Sequence, residues 1–231
     1  MKSISSRQNP HFKRVWAAIR EHADEIVIEG PKQVADAIAA GWKPIEVIER
    51  GVHFTAQLFD SLAETRSPQN VLGLFHRPRW SADEILKTRD TVAVALDAVQ
   101  DPGNVGTIVR LAAAFDCAGV LLLPGCADPF GPKAIRASVG AILNVPVASV
   151  SIGDLRQLNL IAADMSGAAV DPPSRDAVFV FGNEGAGVSE ELMRAAKTIA
   201  IPMSKRVESL NVASSAAILL SRSFSLRTPR P

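Results

Sequence analysis

The sequence predicts an α/β protein in which a mostly parallel sheet forms the larger domain and a small α/β domain precedes it. Three observations predict this. Four short runs, 92–96, 120–123, 160–163 and 178–181, are almost continuously apolar rather than alternating, the pattern of strands buried on both faces of a parallel sheet. Stretches with helical spacing, at about 105–115, 132–139, 152–158, 190–196 and 212–224, separate and follow them, as crossover connections require. A polar stretch at 86–90 divides the chain into 1–88 and 89–231.

The elements of the first part follow in order. Residues 25–28 form a strand. Pro31 then stands at a favourable first helical position, and Gly41 stops the helix. A strand at 45–48, a helix at 55–62 and a strand at 71–75 come next. Ser81 and Glu84 have capping-box spacing ahead of Ile85 and Leu86.

The chain has 231 residues, 47% hydrophobic and 21% charged, ordinary values for a globular protein with a sizeable core. No apolar run is long enough to span a membrane and no signal peptide is recognisable, so a cytoplasmic protein is expected. Cys117 and Cys126 fall in a stretch that reads as buried core, and we expect them reduced, with neither a disulfide nor a metal role.

The net charge of +1 does not mark a nucleic-acid binder, but its distribution is uneven. Lys2, Arg7, Lys13, Arg14 and Arg20 precede any acidic residue. Arg222, Arg227 and Arg230 close the chain without one. Basic ends suit a polyanionic partner; solubility accounts for them equally well.

All four histidines (His11, His22, His53, His76) and all three tryptophans lie before residue 81. Chemistry in the larger domain therefore has no histidine base, no Ser-His-Asp triad and no histidine-ligated zinc. Arginine, carboxylates, amides, hydroxyls and backbone dipoles remain.

Three loops of that domain carry unusual polar residues. Asp97–Gly106 joins a strand to a helix through Pro102 and Gly103, with Arg110 further along the helix. Its spacing fits neither the dinucleotide fingerprint nor the lysine-containing phosphate loop. Residues 181–189, Phe-Gly-Asn-Glu-Gly-Ala-Gly-Val-Ser, place Glu184 among three glycines. A carboxylate there repels phosphate, so the loop suits a neutral or cationic ligand, or pairing of Glu184 with an arginine such as Arg110. Residues 201–212 run from Ile201-Pro202-Met203 to Ser209-Leu210-Asn211 at a helix start, where free amides can be capped or can line a pocket. Separately, Lys133 and Arg136 share one helix face, which either holds phosphates or is simply solvated.

Together these segments resemble the motifs of SpoU-type RNA 2′-O-ribose methyltransferases. The first motif matches Asn104-x-Gly106 with Arg110. The second matches Phe181-Gly182-Asn183-Glu184-Gly185 with Gly187, and the third Ile201-Pro202-Met203 with Ser209-Leu210-Asn211-Val212. Order and separation match across about residues 91–224. The N-terminal part, with Ser5-Ser6-Arg7-Gln8-Asn9-Pro10 and Glu29-Gly30, resembles the small substrate-binding domain often fused to these enzymes.

The resemblance implies a SPOUT fold with a C-terminal trefoil knot, a homodimer with its site near the interface, and S-adenosylmethionine as methyl donor without a metal. It implies donor contacts at Gly182, Gly187, Ile201, Met203 and Leu210, and a catalytic set of Arg110, Asn104, Glu184, Ser209 and Asn211. RNA contacts are expected at Arg7, Lys13, Arg14, Lys133 and Arg136. The implied activity is methylation of a ribose 2′-hydroxyl, with ribosomal RNA favoured as substrate and transfer RNA left open. The alternative is a non-catalytic RNA-binding protein on the same scaffold.

Overall fold

The computed structural model describes residues 3–21, 24–62, 68–88, 90–204 and 206–227; Lys2, His22, Lys205 and Arg230 lie outside them. The chain divides into two compact units. One comprises Met1–Pro78 with Phe130–Arg136, the other Arg79–Pro129 with Ala137–Pro231.

The first unit opens with α1 (Pro10–Arg20), a helix absent from the sequence-based expectation. Its signals are local: the Asn9 side chain accepts from the His11 amide at 2.9 Å, and Pro10 takes the first position. Phe12, Val15, Ala18 and Ile19 are buried at helical spacing, leaving Lys13, Arg14 and Arg20 exposed. Next come β1 (Glu25–Glu29), α2 (Pro31–Ala39), β2 (Pro44–Glu49), α3 (Ala56–Asp60) and β3 (Val71–His76). The three strands pair antiparallel in the order β1-β3-β2. Phe54 and Phe59 sit deep in the core with the inner face of α1. α3 is shorter than the predicted 55–62, because Thr55 is its cap and the chain turns at Ser61.

The second unit contains α4 (Ala82–Leu86), β4 (Val92–Asp97), α5 (Pro102–Ala114) and β5 (Val120–Leu122). α6 (Pro132–Ser138) begins in the segment assigned to the first unit. A 3-10 turn (Ala141–Leu143), β6 (Val147–Ser149), α7 (Ile152–Leu155), β7 (Leu160–Ala168), β8 (Ala177–Gly182), α8 (Glu190–Ala195), β9 (Lys197–Ile199) and α9 (Val212–Arg227) complete it. The capping box before α4 is made in both directions: Glu84 accepts from the Ser81 amide at 2.8 Å, and the Glu84 amide donates to Ser81 Oγ at 3.3 Å.

Six parallel strands pair in the order β6-β5-β4-β8-β7-β9. All six residues of β4 are buried, which explains why it reads as a continuous apolar run. The chain moves outward from β4 through β5 to β6, then returns to build β7, β8 and β9 on the other side. The order therefore reverses between β4 and β8, and in such sheets ligands bind beyond the carboxyl ends of the strands at that reversal. α9 packs against α5. Its last residue, Arg227, is nearly buried and donates to the carbonyls of Phe115 and Asp116, each at 3.0 Å, and to Thr91 Oγ1.

Candidate active site

The loops after β4 and β8 meet at the reversal. The loop after β8 closes on itself: the Asn183 amide donates to the Gly187 carbonyl and the Gly187 amide to the Asn183 carbonyl, both at 2.9 Å. Asn183 Oδ1 accepts from the amides of Gly185 and Ala186, and its Nδ2 donates to the Ala98 carbonyl. Glycine is required at 182, where a Cβ would stand 2.1 Å from the Gly187 carbonyl carbon. At Gly187, φ is +74°, a conformation that side chains disfavour. The buried Asp97 carboxylate, at the end of β4, accepts from the Ser189 amide at 2.7 Å and ties down the far end of the loop.

α5 begins three residues earlier than its apolar periodicity predicts. Asp101 caps it by accepting from the Asn104 amide at 3.0 Å, and Pro102 occupies the first turn. Asn104 therefore sits in the first turn and faces Glu184.

Asn104 Nδ2 donates to Glu184 Oε1 at 2.8 Å, and the Asp101 and Gln100 amides reach the same carboxylate at 3.3 Å. Desolvation opposes the charged form of Glu184, but these hydrogen bonds outweigh it and hold the carboxyl below its ordinary range. Glu184 thus pairs with Asn104 and backbone amides at a helix N-terminus, where an anion is favoured, and not with Arg110.

Asn211 answers the question posed by the third loop. Its Oδ1 caps α9 by accepting from the amides of Ala213 and Ser214, at 2.9 and 3.3 Å. Its Nδ2 donates to Asn104 Oδ1 at 3.1 Å. Asn211, Asn104 and Glu184 form one hydrogen-bonded chain across three segments far apart in sequence.

Beside that chain lies a cavity of about 280 Å³, close to the lower end of the range for small-molecule sites. Gly182, Glu184 and Gly187 line it from the β8 loop, Ile201, Met203, Ser209 and Leu210 from the segment before α9, and Val212 and Ser215 from α9. All five residues expected at a donor site, and Glu184 and Ser209 from the catalytic set, meet in this one cavity. Asn104 and Asn211 stand outside its lining, hydrogen-bonded to each other and through Asn104 to Glu184.

Arg110 is placed differently. It is exposed, does not line the cavity, and lies six residues beyond Asn104. That spacing puts it about 120° around the α5 axis. The five residues expected at RNA all fall in the first unit and all are exposed. Arg14 is already engaged, its Nε donating to Glu25 Oε2 at 3.0 Å.

The sequence reading missed one wall. β7 runs five residues past the predicted 160–163, with a register shift against β9 between Ala163 and Ala168. Ala163, Asp164 and Met165 thereby line the cavity. Asp164 Oδ1 accepts from the Ser166 amide at 2.8 Å and from Ser166 Oγ at 2.5 Å. A polar extension of an apolar strand reads as loop in sequence, and only pairing with β9 reveals it. Asp164 and Glu184 are the only charged residues among the described lining residues; no lysine, arginine or histidine is among them.

The model of the SpoU rRNA Methylase family matches residues 91–221. The chain belongs to this family. A Bacillus subtilis relative, 23S rRNA (guanosine(2553)-2′-O)-methyltransferase RlmP, is 30% identical over 249 residues, covering 95% of this chain and 98% of the relative. The 23S rRNA (uridine(2479)-2′-O)-methyltransferase of Streptomyces viridochromogenes is 26% identical, covering 95% and 90%. The crystal structure of an AdoMet-bound rRNA methyltransferase from Sinorhizobium meliloti superimposes with a TM-score of 0.84 at 28% identity, covering 96% of this chain and 97% of that one.

Proposed function

We infer that this protein transfers a methyl group from S-adenosylmethionine to a ribose 2′-hydroxyl of RNA, with ribosomal RNA the preferred substrate. The observation that carries this reading is the cavity beside the Glu184–Asn104–Asn211 chain. Its lining suits the donor: apolar Met203, Leu210, Ile201 and Met165 offer a slot for a flat heterocycle, and two carboxylates with no cation among the described lining residues suit a positively charged ligand over a phosphate. When bound, S-adenosylmethionine supplies a methyl group activated by attachment to a sulfonium.

The chain's own residues position and stabilise. Glu184, held ionised, fixes the amide of Asn104, and Asn211 fixes its other end while capping α9. Ser209 lines the cavity and its hydroxyl is available to the reacting groups. A guanidinium offers five donors and no acceptor, so the role of Arg110 is to stabilise negative charge developing on the ribose oxygen rather than to act as base. A homodimer with the site near the interface, a trefoil knot formed by the chain around β8 and α9, and a cytoplasmic location belong to the same reading.

The first unit is the RNA-binding part, with Arg7, Lys13, Arg14, Lys133 and Arg136 as its phosphate contacts. Charge reversal at Arg7 and Lys13 is expected to weaken RNA binding and flatten its salt dependence, leaving donor binding unchanged. Unaltered RNA affinity would remove them from the interface.

The deciding experiment is methylation of total RNA with radiolabelled donor, followed by mapping of the modified nucleotide. Label at a ribose 2′-oxygen of ribosomal RNA is expected. Label on a base would reject the reaction assigned here, and RNA binding without transfer would favour a non-catalytic role.

A further inference from the structure

Glu184 and Asp164, the two carboxylates of the cavity, are not equivalent. Both oxygens of Glu184 are occupied by Asn104 and by the amides of Gln100 and Asp101. Asp164 uses Oδ1 for Ser166, and its Oδ2 has no partner among the described residues. Among the described lining residues, the least neutralised charge therefore rests on Asp164, in the stretch of β7 where its register against β9 shifts. It lies next to Met165 in a lining that also carries Ile199, Ile201, Met203 and Leu210. Apolar walls displace water and lengthen the reach of that charge.

We propose that Asp164 determines ligand specificity at this cavity, favouring the sulfonium-bearing donor over the thioether product. The proposal rests on the function inferred above. In methyl transfer the carbon–sulfur bond breaks and its electron pair stays on sulfur, a carbon–oxygen bond forms, and the hydroxyl proton is released to solvent. The bound ligand thereby loses one positive charge while its shape barely changes. A carboxylate facing it loses attraction at that moment, so the product leaves more readily than the donor. Contacts that adenosine and the amino-acid end make alike in both ligands cannot discriminate between them; a fixed negative charge can.

Asp164→Asn is the informative variant, because asparagine keeps the acceptor oxygen used by Ser166 and deletes only the charge. Calorimetry on the full chain would compare S-adenosylmethionine, S-adenosylhomocysteine and the uncharged 5′-methylthioadenosine. The unaltered protein is expected to prefer donor over product by about fivefold or more, the range open to one partly screened charge. D164N is expected to lose about five- to tenfold in donor affinity and less than about twofold for the other two ligands. D164E should restore the preference, and raising salt should narrow it in the unaltered protein only. Equal weakening of donor and product would overturn the proposal, since it would mean a contact with a shared group. No donor–product preference in the unaltered protein would overturn it too, as would no change in D164N. If the unaltered protein binds neither ligand, the inferred function falls first.

Discussion

The two ends of α9 contrast sharply. At its C-terminal end Arg227 is almost buried and spends its guanidinium on Thr91, the carbonyls of Phe115 and Asp116, and the Asp116 carboxylate. At its N-terminal end the polar groups of Asn211 are exposed and bridge outward to Asn104 and Glu184. One helix is anchored at its end by several arginine hydrogen bonds and opens at its other end onto a cavity that Val212 and Ser215 help to line. The difference teaches that rigidity and reactivity are segregated along a single element. The anchor serves stability, and the open end keeps donors and acceptors for chemistry.

The largest effect expected of a change that bears on this contrast is at Arg110 on α5, which packs against α9. Arg110→Ala is expected to lower methyl transfer by about 10²–10³-fold, the scale for removing one group that stabilises a developing oxyanion. Donor binding measured by calorimetry should be unchanged. Full activity would remove Arg110 from the reaction.

At the anchored end, Arg227→Ala removes hydrogen bonds to the part-buried Thr91 hydroxyl and Phe115 carbonyl and to the exposed Asp116 groups and should cost about 2 kcal/mol of stability, read from denaturant unfolding. Activity per folded molecule should stay within about twofold, because the anchor touches no reacting group. A large fall in activity at full stability would break the division of labour.

Gly182→Ala tests the loop beneath the open end. Its Cβ would collide with the Gly187 backbone, so a loss of about 2 kcal/mol together with loss of thermal protection by S-adenosylmethionine is expected. Asn211→Ala removes a helix cap and costs about 1 kcal/mol, but it should slow methyl transfer more than Arg227→Ala does.

The smallest effect is that of pH. Glu184 has a lower pKa in the folded chain than its ordinary value, so its stabilisation is complete above the unfolded value, near pH 4.3. It fades as acid titrates the group through its lowered folded pKa. Glu184→Gln should therefore flatten the acid limb of a Tm-against-pH profile and leave the neutral region nearly parallel. An unchanged acid limb would mean that the carboxylate is not held by Asn104 in solution.

The buried strands were legible because burial on both faces of a parallel sheet leaves a continuous apolar signature; β4 and β8 are the clearest cases. β6 and β9, three residues each, are too short to carry a pattern and exist only through pairing with β5 and β7. α1 is announced only by Asn9 and Pro10, and its basic exposed face gives it the look of a charged terminal stretch. At the site, Gly182, Ile201 and Leu210 were readable from motif order. The partner of Glu184 was not, because hydrogen bonds between residues 80 apart follow from strand order rather than local spacing. Asp164 belongs to no motif and emerged only from the register of β7.

The shielded cysteines bear on chemical self-protection. Burial pushes the Cys117 thiol up to about 12, and burial also raises that of Cys126, whose Sγ donates to the Leu96 carbonyl near the carboxyl end of β4. Thiolates are strong nucleophiles toward activated alkyl groups, whereas protonated thiols are not. A protein that stores an alkylating agent beside its sheet thus keeps both its sulfur nucleophiles disarmed, and a ribose hydroxyl, a far poorer nucleophile, can be the group that is alkylated.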